Sequence, residues 1–543
     1  MHASRVLLVD TPTVSPLAPA KLENLPPSPS QTMFSAAADR VPLPPGPSHL
    51  TSPRGQILSV PSQTLAALLR DVPVLKVTGS KKRKVAHISR DSRQVRADSV
   101  FVAVVGATVD GHDFVGETAA AAVVVDRKVK APKGVAVILV EDTKRTLALM
   151  AANLYGRPAE AVRVVGVTGT NGKTTITTLV EGALLLGGMS VGRIGTTGHS
   201  INGRERPSSF TTPEAPALQS LLAELRDEEV GVLAMEVSSI GLAQHRVDGV
   251  SFHLAMFTNL TRDHLDFHGD MGRYAEAKAR LFSSLLRPKG GHPRALLCGD
   301  DPHWQKMDPP EDRWLYGEGN HCDIRIQSAT FTRAGTRLEL STPMGAGVLQ
   351  SPLIGRHNAE NLAGAVGVCL ALGMELTACL EALGGVIGVP GRLEVVPHGE
   401  LLVVVDYAHS DDALDNAIAA MRELVDRDLW VVFGCGGDRD RTKRPVMGSV
   451  VQRGADYAVV TSDNPRHESP RRIIDDILVG MTDGRPPIVE VDRKRAIRRA
   501  IHGAKPGDGV LIAGKGHETY QQIGVVKVPF DDRLVAAEAL EGR

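Results

Sequence analysis

Cysteine is scarce in this chain: Cys298, Cys322, Cys369, Cys379 and Cys435 are all there are among 543 residues, and no two form a CxxC pair. That spacing argues against a disulfide framework or a zinc knuckle and points to a reducing compartment. Net charge is missing too, since Lys+Arg and Asp+Glu both total 62. With no global field to draw the protein to nucleic acid or to an anionic membrane, recognition has to be local. No apolar run approaches the roughly 20 residues that span a bilayer, and VLLV (6–9) is too short for the apolar core of a signal peptide. Aromatics are low at 4%, while 42% hydrophobic content suits a soluble globular protein. The expectation is a cytoplasmic monomer with neither nucleic acid nor membrane insertion among its partners.

What the chain does have is length, and 543 residues exceed what one hydrophobic core serves, so about two to four domains are expected. Residues 1–53 hold 11 of the 34 prolines, lack periodic apolar positions and read as a disordered tail. Ordered patterning starts near ILSV (57–60) and SQTLAALLR (62–70). The pattern divides into blocks at 54–158, 159–391 and 392–543. β-type runs alternating with helix-length segments predict an α/β fold with doubly wound, mostly parallel sheets. In the last two blocks nearly every apolar run empties into polar, charged or glycine-rich residues. Open α/β sheets bind ligands at the carboxyl ends of their strands, so two such edges face to face would form one large cleft.

GVTGTNGKTT (166–175) lies between a β run and the helix-like ITTLVEGALLL. Backbone N–H groups at a helix N-terminus suit phosphate oxygens, Lys173 adds a charge, and a Thr hydroxyl can reach Mg²⁺. Gly169, Thr170, Asn171, Gly172, Lys173, Thr174 and Thr175 are the candidate ATP contacts. Val167 stands where the strict GxxxxGK[ST] pattern has its first glycine. Glu236, ending the run AMEVSS (234–239), and His264, in TNLTRDHLDFHGD (258–270), could hold Mg²⁺ together with Thr174. HLDFH, with two histidines four apart, leaves a zinc site as the competing reading.

This shifted phosphate loop resembles that of the Mur ligases and their relatives, the folylpolyglutamate synthetases. The resemblance runs over roughly residues 57–543, with motifs in the same order, and is closest to the tripeptide-forming members. It implies a three-domain architecture: an N-terminal UDP-substrate domain, a central P-loop ATPase-like doubly wound sheet and a C-terminal Rossmann-like domain. YAEAKARLF (274–282) matches the family's YxxAKxxLF, which implies that Lys278 is carbamylated and helps to hold a second Mg²⁺. Taken alone, Lys278 would be an ordinary lysine on a helix surface. ISRDSRQV (88–95) resembles the uridine-side motif, carrying that role onto Ser92 and Arg90, with Ala107, Thr108 and Val109 at the contact triplet that follows. TTP (211–213) and VSSIGLAQHRV (237–247) resemble the muramoyl-peptide motifs, which implicates Thr211, Thr212, Ser238, Gln244 and Arg246; Ile240 replaces a usual histidine. GRHNAEN (355–361), PGRLE (390–394) and DYAHSDDAL (406–414) look like nucleotide-closing motifs, giving Arg392 and His409 with Asn358 and Asp406 in support. Asp411 stands where the family has a turn proline and is expected to loosen that loop.

The resemblance implies a reaction in which ATP phosphorylates a substrate carboxylate and an amine displaces the phosphate. GGDRDRTKRP (436–445), TSDNPRHESP (461–470) and GKGHE (514–518) bear on which amine enters. Arg439 and Arg466 offer planar forks suited to a carboxylate, and Glu518 suits an ammonium. The distal end of meso-diaminopimelate carries both groups, whereas lysine or ornithine carries the ammonium alone and would meet two arginines. DNPR marks the diaminopimelate-adding members, and the resemblance adds Asp463, Asn464, Pro465 and Gly514 as contacts; Thr442 replaces a frequent glycine in this stretch. Open alternatives are a lysine- or ornithine-adding ligase, a folylpolyglutamate-type ligase, a catalytically silent scaffold and a mechanical P-loop ATPase. The plain reading of Arg466 is a pair with a neighbouring acid.

Overall fold

A computed structural model describes residues 62–106, 108–208, 210–287, 293–397 and 401–543. The Pro-rich segment 1–53, the run 57–60 and Ala107 lie outside the described residues. Strands and helices alternate along the chain and form three larger sheets. The first has five strands in the order Lys76–Thr78, Ala136–Leu139, Ala122–Val125, Ser99–Val102 and His87–Ser89. All of its pairings are parallel except the first.

The second sheet has eleven strands. At its centre Arg163–Thr168 lies between Val232–Glu236 and Leu254–Phe257, parallel to both. These strands are buried almost throughout, as unbroken apolar runs must be when helices cover both faces. Separate clusters fill the two faces, one around Val165, Val167 and Ile176 and the other around Val164, Leu233 and Phe257. Because the three strands run in one direction, the phosphate loop, Glu236 and residues 258–264 leave the sheet along one edge.

The third sheet follows the same logic. Leu402–Asp406, Gly509–Ala513, Leu429–Phe433 and Tyr457–Val460 are consecutive parallel neighbours. Val404, Val431 and Phe433 face one cluster, and Val403, Val405 and Val432 face the other. All four strands therefore deliver their C-terminal loops, at 406–411, 514–518, 434–442 and 461–468, to the same edge.

Beneath that edge lies a fully buried ion pair. Arg493 Nη2 is 2.7 Å from Asp532 Oδ2, and both side chains have 0% exposure. Arg493 also donates to the carbonyl oxygens of Ser462 and Ala513 at 3.4 and 2.9 Å, tying two strand ends together. Arg493→Met leaves Asp532 buried and unpaired, and urea unfolding is expected to show a loss of about 3–5 kcal/mol. The double variant Arg493→Met/Asp532→Leu recovers most of that loss, because no charge then stays buried.

Candidate active site

Lys173 opens the helix Lys173–Leu186, directly after Gly172 at φ +85°. A Cβ at Gly172 would lie 2.5 Å from Asn361 Oδ1, so a side chain is excluded there by both backbone and space. Lys173 Nζ donates to the carbonyls of Gly169 and Thr170 at 2.9 and 2.7 Å. Thr174 Oγ1 donates to Glu236 Oε1 at 2.9 Å, and the same carboxylate accepts from Thr196 N at 2.7 Å and Thr196 Oγ1 at 3.0 Å. A buried carboxylate beside a hydroxyl is an all-oxygen donor set of the kind that hard Mg²⁺ prefers. Among the candidates of the nucleotide motifs, Asn358 does not reach the loop: it donates to Ile354 O at 2.9 Å and accepts from Asn361 at 3.1 Å. Asn361, one helical turn on, is the residue that faces Gly172.

Lys278 is buried at 1% exposure. Its Nζ donates to Gly169 O at 2.8 Å and sits 4.3 Å from the centre of the Tyr274 ring. Burial, reinforced by the like charge of Lys173, holds its pKa well below the ordinary lysine value. Two lysines thus converge on one carbonyl oxygen; burial lowers the pKa of both, and that of Lys278 the further. His264, at φ +53°, stands edge-on to Tyr274 at 6.4 Å and 3.2 Å from Asp263. The other histidine of HLDFH, His268, is buried and shares a 3.0 Å hydrogen bond with Ser239 Oγ. Among the described residues no group of three potential metal ligands includes either histidine, so the structure gives the zinc reading nothing to stand on.

The third sheet meets this loop through its own strand ends. Asp412 Oδ2 accepts from Asn171 Nδ2 at 2.8 Å and from Thr261 Oγ1 at 3.0 Å. Arg392 stacks over Tyr407 at 4.7 Å and donates to Thr174 Oγ1 at 3.3 Å. Asp406 fixes both arms of this contact, accepting from Leu393 N at 2.7 Å and Ala408 N at 2.8 Å. His409 lies against Tyr407, and its carbonyl accepts from Lys443 at 2.7 Å. The loop containing Asp411 runs directly into a capped helix. Ser410 caps the helix Asp411–Arg422 by accepting from Ala413 N at 3.3 Å, and Asp411 sits in the first turn, where an acid is favoured by the helix dipole. Thr442 is likewise engaged, donating to Asp440 at 2.6 Å. Asp412 and Asn361 lay inside quoted motifs, but nothing in the sequence said which of several polar residues would face the phosphate loop.

A cavity of about 560 Å³ joins the two sheet edges. Thr211, Thr212, Ser238, Ile240, Arg246 and His264 line it from the central sheet, and His409, Arg439, Asp463, Asn464, Arg466, Gly514 and Glu518 line it from the third. Arg439 and Arg466 flank Gly436: a Cβ there would lie 3.7 Å from Arg439 Cγ and 2.9 Å from Arg466 Nη1. Arg466 has no acidic partner among the described residues. Its Nη1 donates to Gly437 O at 2.7 Å, while Glu468, two residues on, is taken up by Arg444 at 2.8 Å and Arg441 at 2.9 Å. In the same cavity Asn464 Nδ2 donates to Glu518 Oε2 at 2.7 Å, and buried Lys515 donates to both at 3.0 Å. Asp463 Oδ2 is buried without a partner in the structure. Lys515 was missed in the sequence, although the GKGHE motif contains it.

A second cavity of about 460 Å³ shares Phe210 and Arg246 with the first and continues toward Arg90, Gly106, Lys144 and Gln244. Arg246 pairs with Glu214 at 2.8 Å and donates to Thr212 O at 2.9 Å and to Gln244 at 2.8 Å. Arg90 reaches the same Glu214 at 3.1 Å. Ser92 opens the short helix Ser92–Gln94 and does not line this cavity, and neither do Thr108 and Val109.

The Mur ligase catalytic, middle and glutamate ligase domain models match residues 84–155, 167–369 and 391–516. The chain is 43% identical over 492 residues to a UDP-N-acetylmuramoyl-L-alanyl-D-glutamate--2,6-diaminopimelate ligase of Geobacillus thermodenitrificans, covering 88% of this chain and 99% of that protein. It is 46% identical over 466 residues to the ligase of the same name from Gloeobacter violaceus, covering 84% and 94%. A solved diaminopimelate ligase structure superposes with a TM-score of 0.64 at 32% identity, covering 89% of this chain and 99% of that one. A MurF ligase of Thermotoga maritima in complex with ADP shares the fold, with a TM-score of 0.55 at 22% identity, covering 84% and 96%.

Proposed function

The chain belongs to the Mur ligase family, and from that premise we propose how its cleft works. The protein is an ATP-dependent ligase that adds meso-diaminopimelate to the D-glutamate side-chain carboxylate of UDP-N-acetylmuramoyl-L-alanyl-D-glutamate, a step of peptidoglycan precursor synthesis. Domain limits at 54–158, 159–391 and 392–543 correspond to its three substrates' sites: nucleotide-sugar, ATP and amino acid.

The phosphate loop cradles ATP through residues 169–175, with Lys173 and Arg392 on the phosphates, His409 and Asp406 in support, and Asn358 acting through its hydrogen bond with Asn361. Mg²⁺, when bound, offsets the crowded negative charge of the γ-phosphate and the carboxylate. Thr174, Glu236, His264 and Lys278 would hold it, Lys278 after its neutral amine has added CO₂, lost a proton and become a carbamate. Arg246, Thr211, Thr212, Ser238 and Gln244 hold the acceptor peptide, and Arg90 and Ser92 its uridine end. The carboxylate attacks the γ-phosphorus and ADP leaves. The incoming amine then attacks the acyl phosphate carbon, loses a proton, and inorganic phosphate departs. No side-chain nucleophile is needed, so positioning and charge carry the rate.

One observation carries the choice of amine: Arg466 lines the joint cavity together with Asn464 and Glu518 and, among the described residues, has no acidic partner. A guanidinium with no acid bound to it, in the same cavity as a carboxylate–amide pair, complements a distal carboxylate and ammonium together. Phosphate release with the full substrate set is expected to depend on meso-diaminopimelate and to be at least about a hundredfold slower with L-lysine at equal concentration, the scale of one buried charge left unpaired. Equal rates with both amines would overturn the assignment.

A further inference from the structure

The turn that carries Asp463, Asn464 and Arg466 has two hydrogen bonds of its own, Asn464 N to Asp463 Oδ1 and Glu468 N to Pro465 O, and several more from outside it. Arg466 has φ +48°, a left-handed conformation that costs a side-chain-bearing residue energy unless its surroundings impose it. What imposes it is the hairpin formed by Tyr520–Ile523 and Val526–Pro529. Arg466 N donates to Gln522 O at 3.1 Å, and Gly524 N donates to Arg466 O at 2.7 Å. One strand of the hairpin thus brackets this residue in a local parallel bridge between Arg466 and Ile523. The same strand holds the preceding residues: Gln522 N donates to Asn464 Oδ1 at 2.8 Å, and Gln521 Nε2 donates to Asp463 O at 2.6 Å and to Ser462 Oγ at 3.4 Å. Gln521 and Gln522 of the strand and Gly524 just after it therefore hold Asp463, Asn464 and Arg466 through backbone and side chain.

We propose that this C-terminal hairpin is the template that selects the amino acid, with Gln521 as the positioning residue that sets the turn. The inference rests on the assignment of Arg466 to the distal carboxylate of diaminopimelate. Gln521 lines neither cavity; its side chain holds Ser462 and Asp463 at the start of the turn, while the next residue, Gln522, holds Asn464 and Arg466. The hairpin and the turn both follow the last block boundary at 391/392, so the contacts that set the turn lie within one stretch of the chain.

The test is a double-mutant cycle with Gln521→Met, which keeps volume but removes the donor, and Arg466→Ala. Gln521→Met is expected to raise the KM for meso-diaminopimelate on the order of tenfold, the value of a lost hydrogen bond in a buried site. The KM for ATP should stay within about twofold, and the preference for diaminopimelate over L-lysine should fall. In the Arg466→Ala background the same change should add less than about twofold, because its effect is transmitted through the missing guanidinium. Gly524→Ala supplies a second variant: nothing lies within 4 Å of a Cβ there, but its φ of +59° disfavours a side chain, so the protein folds with the bracket weakened. It should move the same KM in the same direction. An unchanged diaminopimelate KM in both Gln521→Met and Gly524→Ala, with Arg466→Ala impaired, would overturn the template while leaving the arginine assignment intact. Full additivity in the cycle would overturn transmission through Arg466. An Arg466→Ala enzyme with unchanged KM would overturn the assignment beneath both.

Discussion

Arg466→Ala is expected to raise the KM for meso-diaminopimelate by about a hundredfold or more, with the KM for ATP nearly unchanged. Removing one partner of a desolvated, hydrogen-bonded charge pair costs about 2–5 kcal/mol, and every 1.4 kcal/mol or so is tenfold. The guanidinium has no internal carboxylate to lose, since Glu468 is committed to Arg444 and Arg441, so the cost falls on the substrate. Arg466→Lys should recover only part of the loss, because an ammonium lacks the planar fork and cannot reproduce both the bond to Gly437 O and a bidentate contact. The rival outcome is concrete: if Arg466 serves only to lock the loop through Gly437 O, the alanine variant will lose thermal stability and keep its KM. Steady-state kinetics with each substrate varied, alongside a melting curve, separate the two.

Lys278→Met is expected to lower kcat by on the order of 10²–10³, the scale of removing one charge-stabilising group from a preorganised site. The fold should be little affected. Methionine conserves volume, and such swaps usually cost less than about 1.5 kcal/mol; Gly169 O, the acceptor vacated by Lys278, still receives Lys173. An activity loss without a stability loss is the signature of a lysine whose burial serves chemistry. Enclosure, with the like charge of Lys173, holds the pKa of the unmodified amine well below the ordinary lysine value, which favours the neutral form that can add CO₂. Wild-type activity should therefore fall in bicarbonate-free, degassed buffer and return when bicarbonate is added, whereas the variant should be insensitive. A Lys278→Met enzyme with kcat within about threefold of wild type would show the lysine to be a packing residue.

Much of this was legible along the chain because parallel α/β sheets write their design into the sequence. Runs such as LVVVD (402–406) and LWVVF (429–433) are unbroken apolar stretches because both faces of the sheet are covered, and the polar residues that follow them must emerge at one edge. The phosphate loop could be read for the same reason: its glycines, lysine and threonines act through local backbone geometry. Charge chemistry on short motifs was also enough to single out Arg439, Arg466 and Glu518. At Asp411 the lost proline is accompanied by Ser410, one position earlier, which caps the helix that follows.

What the sequence by itself determined, then, is the set of strands and the loops they end in, because hydrophobic period and turn chemistry are local. Which polar residues within those loops face one another was decided only by tertiary structure. Asn361 rather than Asn358 meets the phosphate loop because helix packing sets which turn is presented. Asp412 reaches Asn171 and Thr261 across 241 and 151 residues of chain, and Gln521 reaches Asp463 across 58. Arg466 stays unpaired because Arg444, buried behind it, claims Glu468. Contacts over such separations depend on how sheets and helices stack, and no window of sequence contains both partners.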